Sequence, residues 1–148
     1  MTQAIFYLDD SPLITQTQRW QWACDQAAYH YQQSQRVYLF VNNQSQANQI
    51  DELLWQRDPN DFVPHNLITE GQSSGSPVEI GWQPNRHHGH RHVLINLSDH
   101  APNFAVTFSQ VIDFAPCDDA LKQLARVRYQ SYRQMGIQLH TASLPKLP

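Results

Sequence analysis

The stretch that decides the fold is Ala4-Ile5-Phe6-Tyr7-Leu8-Asp9-Asp10-Ser11-Pro12, a short apolar run closed by polar turn residues. A run of this length with no polar interruption reads as a strand covered on both faces, and the Asp-Asp-Ser-Pro that follows reads as its turn. Working outward, the spacing predicts a helix over about 16–33, with Trp20, Cys24, Ala27, Ala28 and Tyr31 on one side. After Arg36 comes a second buried strand, Val37-Tyr38-Leu39-Phe40-Val41. Asn42 to Ser45 then turn the chain into a helix over about 46–55, with Ala47, Ile50, Leu53 and Leu54 inward. Strand, helix, strand, helix is the opening of a parallel α/β sheet.

The remainder continues that plan. Asp61-Phe62-Val63-Pro64-His65-Asn66-Leu67 holds a short strand cut by its proline, and 70–77, rich in Gly and Ser, is a loop. Val78 to Trp82, Val93 to Leu97 and Val111 to Phe114 read as strands, with a helical turn around Phe104, Ala105 and Phe108. Expected overall is an α/β chain, a single Rossmann-like domain over 1–137 with a mostly parallel central sheet flanked by helices, and a tail over 138–148. At 148 residues and 41% hydrophobic, one core is the default. No run approaches the roughly 18 apolar residues of a membrane span, and Met1-Thr2-Gln3-Ala4 lacks a signal peptide's basic and apolar regions, so a cytoplasmic protein is expected.

The last predicted helix carries the functional signal. Pro116, Cys117 and Asp118 lead into it, and Gly136 suits a left-handed terminal residue. At about 100° per residue, Leu121, Leu124, Ala125, Tyr132 and Met135 form one arc facing a core. Lys122, Arg126, Tyr129 and Arg133 form a second stripe roughly 120° away. Arg128 falls among the apolar positions, where it needs a partner or a route to solvent. The second stripe reads either as a solvated face or as a cationic patch. Charge distribution favours the patch: residues 1–119 hold five basic and thirteen acidic side chains, whereas 120–148 hold five basic and none acidic. Charge segregated in this way points to a local anionic ligand, although the whole chain is acidic at −3.

Chemistry-bearing motifs are scarce. The first strand-to-helix turn has no glycine and two carboxylates, which would repel a pyrophosphate, so no nucleotide site is expected there. The run Arg86-His87-His88-Gly89-His90-Arg91-His92 suggests metal at first sight, but no Cys, Asp or Glu completes a ligand set, and a polar loop is the better reading. Asp9 with Asp10 and Asp118 with Asp119 sit where turns and helix caps explain them. Cys24 reads as core and Cys117 as a helix-start thiol; together they make neither a disulfide framework nor a CxxC pair. No catalytic, metal or cofactor-binding residue is assigned. Trp55, Phe62, Val63 and Pro64 form an apolar cluster readable as core or as a protein interface.

Taken in order, Ile5-Phe6-Tyr7-Leu8, Asp51-Glu52-Leu53-Leu54-Trp55, Phe62-Val63-Pro64-His65-Asn66-Leu67, Pro77-Val78-Glu79-Ile80 and Leu121-Lys122-Gln123-Leu124-Ala125-Arg126 resemble the chi subunit family of bacterial DNA polymerase III holoenzyme over nearly the whole chain. The resemblance implies a non-catalytic adaptor. One surface would hold the psi subunit, which joins the clamp loader, and another the acidic C-terminal tail of single-stranded DNA-binding protein. It carries the tail site onto Lys122, Arg126 and Tyr129, with Gln130, Arg133 and Thr141 beside them, and the psi interface onto Trp55, Phe62, Val63 and Pro64. At Gln130 the sequence departs from the pattern, since the familiar representative of the family has lysine there. The alternative reading is a module that binds single-stranded nucleic acid directly through the basic helix; the adaptor reading expects weak direct DNA contact or none.

Overall fold

The computed structural model describes residues 1–9, 11–69, 76–83 and 91–144. Strand β1 (Gln3–Leu8) leads to helix α1 (Gln16–Gln32), β2 (Val37–Val41) and α2 (Gln44–Trp55). After a 3-10 turn at Pro59–Asp61 come β3 (His65–Leu67), β4 (Val78–Trp82) and β5 (Val93–Asn96). A second 3-10 turn, Asn103–Thr107, precedes β6 (Gln110–Ala115), α3 (Asp119–Gln134) and β7 (Gln138–Ser143). The seven strands form one sheet in the order β3-β4-β2-β5-β6-β1-β7, and every neighbouring pair is parallel.

Helix ends are set by local chemistry. Thr15 and Gln18 cap α1 reciprocally: the Gln18 N–H donates to Thr15 Oγ1 at 3.1 Å, and the Thr15 N–H donates to Gln18 Oε1 at 2.8 Å. The Asn43 and Asp118 side chains accept from the Gln46 and Leu121 amides, the third of α2 and of α3. Gly136, at φ +82°, closes α3 in the left-handed conformation the sequence anticipates.

Period-two alternation then divides the core between the two faces of the sheet. Val37, Leu39 and Val41 of β2 pack under α1 and α2 with Trp20, Cys24, Ala27, Ala47, Ile50 and Leu54. Tyr38 and Phe40 point the other way, to α3 and the 103–107 turn, among Phe6, Phe104, Phe108, Val111, Ala125 and Tyr132. The fit is close enough that a Cβ on Gly81 would lie 1.8 Å from the Tyr38 hydroxyl, so any larger residue there displaces that ring.

One boundary differs from expectation. The segment from 138, read as a tail, supplies β7 over Gln138–Ser143, paired with β1 from Gln3↔Gln138 to Leu8↔Ser143. Leu139 is its sole large apolar side chain, and the prolines at 145 and 148 dominate the local pattern. What holds this strand is the ladder to β1, a non-local pairing that composition does not reveal. Leu53, expected inward on α2, is half-buried at the edge of the core.

Candidate functional site

Rotation of α3 about its axis decides which of its side chains meet solvent, and a buried polar network sets that rotation. Arg128 Nε donates to both carboxylate oxygens of Asp113 at 3.1 Å, Nη2 donates to the Phe114 carbonyl at 2.8 Å, and Nη1 to the Asp99 carbonyl at 3.1 Å. The Tyr132 hydroxyl donates to Asp113 Oδ2 at 2.7 Å, and Asn96 Nδ2 donates to the same oxygen and to the Tyr132 oxygen. Burial and the neighbouring Asp113 carboxylate together hold the Tyr132 phenol far above its usual pKa, so it remains a donor. Arg128 thus finds the partner that its place on the apolar arc required.

With Arg128 and Tyr132 turned into the sheet, the Lys122, Arg126 and Tyr129 stripe falls at the margin where α3 overhangs β1 and β7. There it walls a cleft of about 490 Å³. The floor is apolar: Phe6 and Leu8 from β1, Ala115 from the end of β6, and Ala125 from α3. The Tyr129 ring lies against Phe6, centroids 5.5 Å apart, and forms one wall. Lys122, Arg126, Gln130 and Thr141 line the cleft around this floor. Among the described residues, neither Lys122 nor Arg126 has a side-chain hydrogen bond or ion pair. Asp9 also reaches the cleft, but it is buried and its charge is met by Arg19 at 3.1 Å. The result is a pocket with an oily base and a cationic lip, suited to an apolar group carried next to carboxylates.

The cleft gathers Lys122, Arg126, Tyr129, Gln130 and Thr141 but leaves out Arg133, which is exposed further along α3. The floor residues Phe6, Leu8 and Ala115 are not marked as site residues by the sequence, and Cys117, read there only as a helix-start thiol, also lines the cleft. Alternation in 4–8 does place Phe6 and Leu8 on one face. Knowing that this is the α3 face requires the topology.

At the opposite edge of the sheet, Trp55 and Phe62 are 59% and 48% exposed and pack on each other with centroids 5.4 Å apart. His65 underlies both rings and is fixed by its Nδ1 donating to the Val63 carbonyl at 2.7 Å. Pro64 is half-buried. Val63, grouped with these residues by the sequence, is instead 1% exposed in the α1/α2 core, because the chain between the exposed ring of Phe62 and β3 must turn one side chain inward.

The other motifs resolve structurally. Arg91 is buried and lies 3.6 Å from Glu79, and His92 Nδ1 accepts from the Arg36 amide; residues 86–90 of the histidine run lie outside the described residues. Asp9 Oδ1 accepts the Ser11 amide in the β1–α1 turn, putting a carboxylate where a nucleotide-binding turn would present amides to phosphate. Cys24 is buried, which pushes its thiol up to about 12. Among the described residues, no group of three or more His, Cys, Asp or Glu gathers as a metal site, and no helix is long and apolar enough to cross a membrane.

Comparison of the sequence with known proteins places the chain in a family. Residues 1–140 match the family model described as DNA polymerase III chi subunit, HolC. The chain is 41% identical over 145 residues to the DNA polymerase III subunit chi of Escherichia coli (strain K12), covering 97% of this chain and 99% of that protein. It is 45% identical over 122 residues to the subunit of the same name from Haemophilus influenzae, covering 82% and 85% of the two chains. It is 32% identical over 147 residues to that of Pseudomonas aeruginosa, covering 99% and 100%. On the family match and on these identities across nearly its whole length, the chain belongs to the DNA polymerase III chi subunit family.

Proposed function

We propose that this accessory subunit of DNA polymerase III is a non-catalytic adaptor acting in lagging-strand DNA replication. In this reading the α3 cleft takes the acidic C-terminal tail of single-stranded DNA-binding protein, and the Trp55, Phe62 and Pro64 patch takes the psi subunit, through which the clamp loader is reached. The observation that carries the reading is the convergence of two cations without a partner among the described residues, Lys122 and Arg126, on an apolar floor beside Tyr129. An aromatic residue of the tail enters the floor, where full burial of such a side chain is worth about 1.5–3 kcal/mol. Its neighbouring carboxylates meet Arg126 and Lys122, while the Gln130 amide donates one neutral hydrogen bond in place of a third cation.

Direct binding of single-stranded nucleic acid through the same stripe is the competing reading. Base stacking needs an open ring face, and the Tyr129 ring is half-buried and packed at a tilt against Phe6. Calorimetry with an acidic peptide ending in phenylalanine, and separately with an oligothymidylate, separates the two. The adaptor reading expects the peptide to bind, to weaken with salt as exposed charge pairs do, and to bind more weakly on Arg126→Ala. Tight binding of the oligomer with indifference to the peptide would overturn it.

A further inference from the structure

We propose that the outer edge of β7 accepts a partner backbone as an added strand, and that this strand is the part of the acidic peptide just N-terminal to the tip seated in the cleft. The proposal rests on the cleft reading above and extends it from an end-on pocket to a track.

The backbone of β7 shows which groups are available. The Gln138 N–H donates to the Thr2 carbonyl at 3.2 Å and the Leu144 N–H to the Leu8 carbonyl at 2.8 Å, so the even-numbered residues face β1. By the period of two, the N–H and C=O groups of Leu139, Thr141 and Ser143 point away from the sheet. Strand β7 stands last in the sheet order, and among the described residues it pairs with β1 alone. Edges of this kind are normally blunted by shortness, proline or charge. The opposite edge follows that rule, since β3 has three residues and Pro64 immediately before it. Strand β7 has six residues, Gln-Leu-His-Thr-Ala-Ser, with no proline, lysine or carboxylate among them.

Two further observations select the occupant. Thr141 belongs to both surfaces, its side chain lining the cleft and its amide lying on the open edge, so a chain leaving the cleft meets β7 at once. Helix α3 packs against β7, and Arg133, exposed and outside the cleft, continues the cationic stripe beyond Tyr129. Residues 120–148 hold five basic and no acidic side chains, which favours an acidic strand and disfavours a second copy of this chain, whose own β7 would bring like charge to like.

The test compares two synthetic peptides by calorimetry at low salt: a short acidic tip ending in phenylalanine, and the same tip extended N-terminally by Gly, Ser and Asp residues. The extension is expected to tighten binding about tenfold, the yield of one or two added backbone hydrogen bonds. Ser143→Pro removes an outward amide without removing a bond to β1; it should bring the long peptide down to the affinity of the short one and leave the short one unchanged. A long peptide N-methylated at alternate residues of the extension should behave likewise on the unaltered protein, which keeps the test independent of how Ser143→Pro folds. Equal affinity of long and short peptides, or full strength of the methylated one, overturns strand addition while leaving the cleft reading intact. If neither peptide binds, the cleft reading falls and this proposal with it. A protein that sediments as a dimer and becomes monomeric on Ser143→Pro would assign the edge to self-association and overturn it as well.

Discussion

Arg126 and Arg128 stand two residues apart on one helix and do opposite things. Arg128 is buried, with its guanidinium bonded to Asp113 and to two carbonyls, whereas Arg126 is exposed and bonded to none of the described residues. The contrast recurs in the cysteines: Cys24 is sealed in the α1/α2 core and Cys117 opens on the cleft. Groups satisfied inside the molecule hold α3 at a fixed rotation, and that rotation is what leaves the other groups unsatisfied and aimed together. The buried network and the proposed binding surface thus lie on neighbouring residues that can be altered separately.

The sharpest break should come from the buried member. Arg128→Ala leaves the Asp113 carboxylate buried without its cation and is expected to cost about 3–5 kcal/mol in denaturant unfolding. The double variant with Asp113→Ala should cost clearly less than the two single losses added together. A loss under about 1 kcal/mol would show that the network does not hold the helix.

Arg126→Ala is the matched case. Its unfolding midpoint should stay at the wild-type value, while affinity for the acidic peptide falls by about 1.5–3 kcal/mol, the worth of a charge-assisted hydrogen bond. If stability and binding fall together, the separation between the two arginines is not real.

The cysteine pair gives a smaller, pH-dependent effect. Burial raises the Cys24 thiol to about 12, against about 8.5 in an unfolded chain. Between those values the folded protein keeps a proton that the unfolded chain has released, so the stability from Cys24 is full below about pH 8.5 and declines as pH rises, by at most about 1.4 kcal/mol per pH unit. Cys24→Ala should flatten that decline when unfolding is followed at alkaline pH, and an unchanged slope would refute it. In native protein a maleimide should label Cys117 first, and bound acidic peptide should slow that labelling.

The mildest change is Gln130→Lys, which restores a third cation to the lip of the cleft. Being exposed, the new charge should tighten peptide binding by only about 0.2–1 kcal/mol, and less at high salt. Calorimetry at two salt concentrations would expose a gain that does not depend on salt.

Most of this architecture is legible in the sequence because it is local. Apolar runs such as 37–41, caps such as Asp118 and the terminal Gly136 each report on a few neighbouring residues, and together they mark six of the seven strands and all three helices. The cationic wall was legible for the same reason, as helical periodicity in one segment. The floor was not, because Phe6, Leu8 and Ala115 meet α3 only through the order of strands. Strand β7 is not legible because its pairing with β1 joins residues at 3–8 to residues at 138–143. Val63 cannot be told from Phe62 by apolar character alone, since only the direction of each side chain separates the buried one from the exposed one.

The placement of β1 between β6 and β7 has a bearing on biosynthesis. A chain emerging from the ribosome exposes residues 3–8 long before either flanking strand, 110–115 or 138–143, has been made. This greasy leading segment must stay soluble throughout translation, a window in which chaperones commonly act on nascent chains. A chain ending before the last strand would hold all three helices and most of the cleft lining but lack Thr141 and the outer edge that β7 forms.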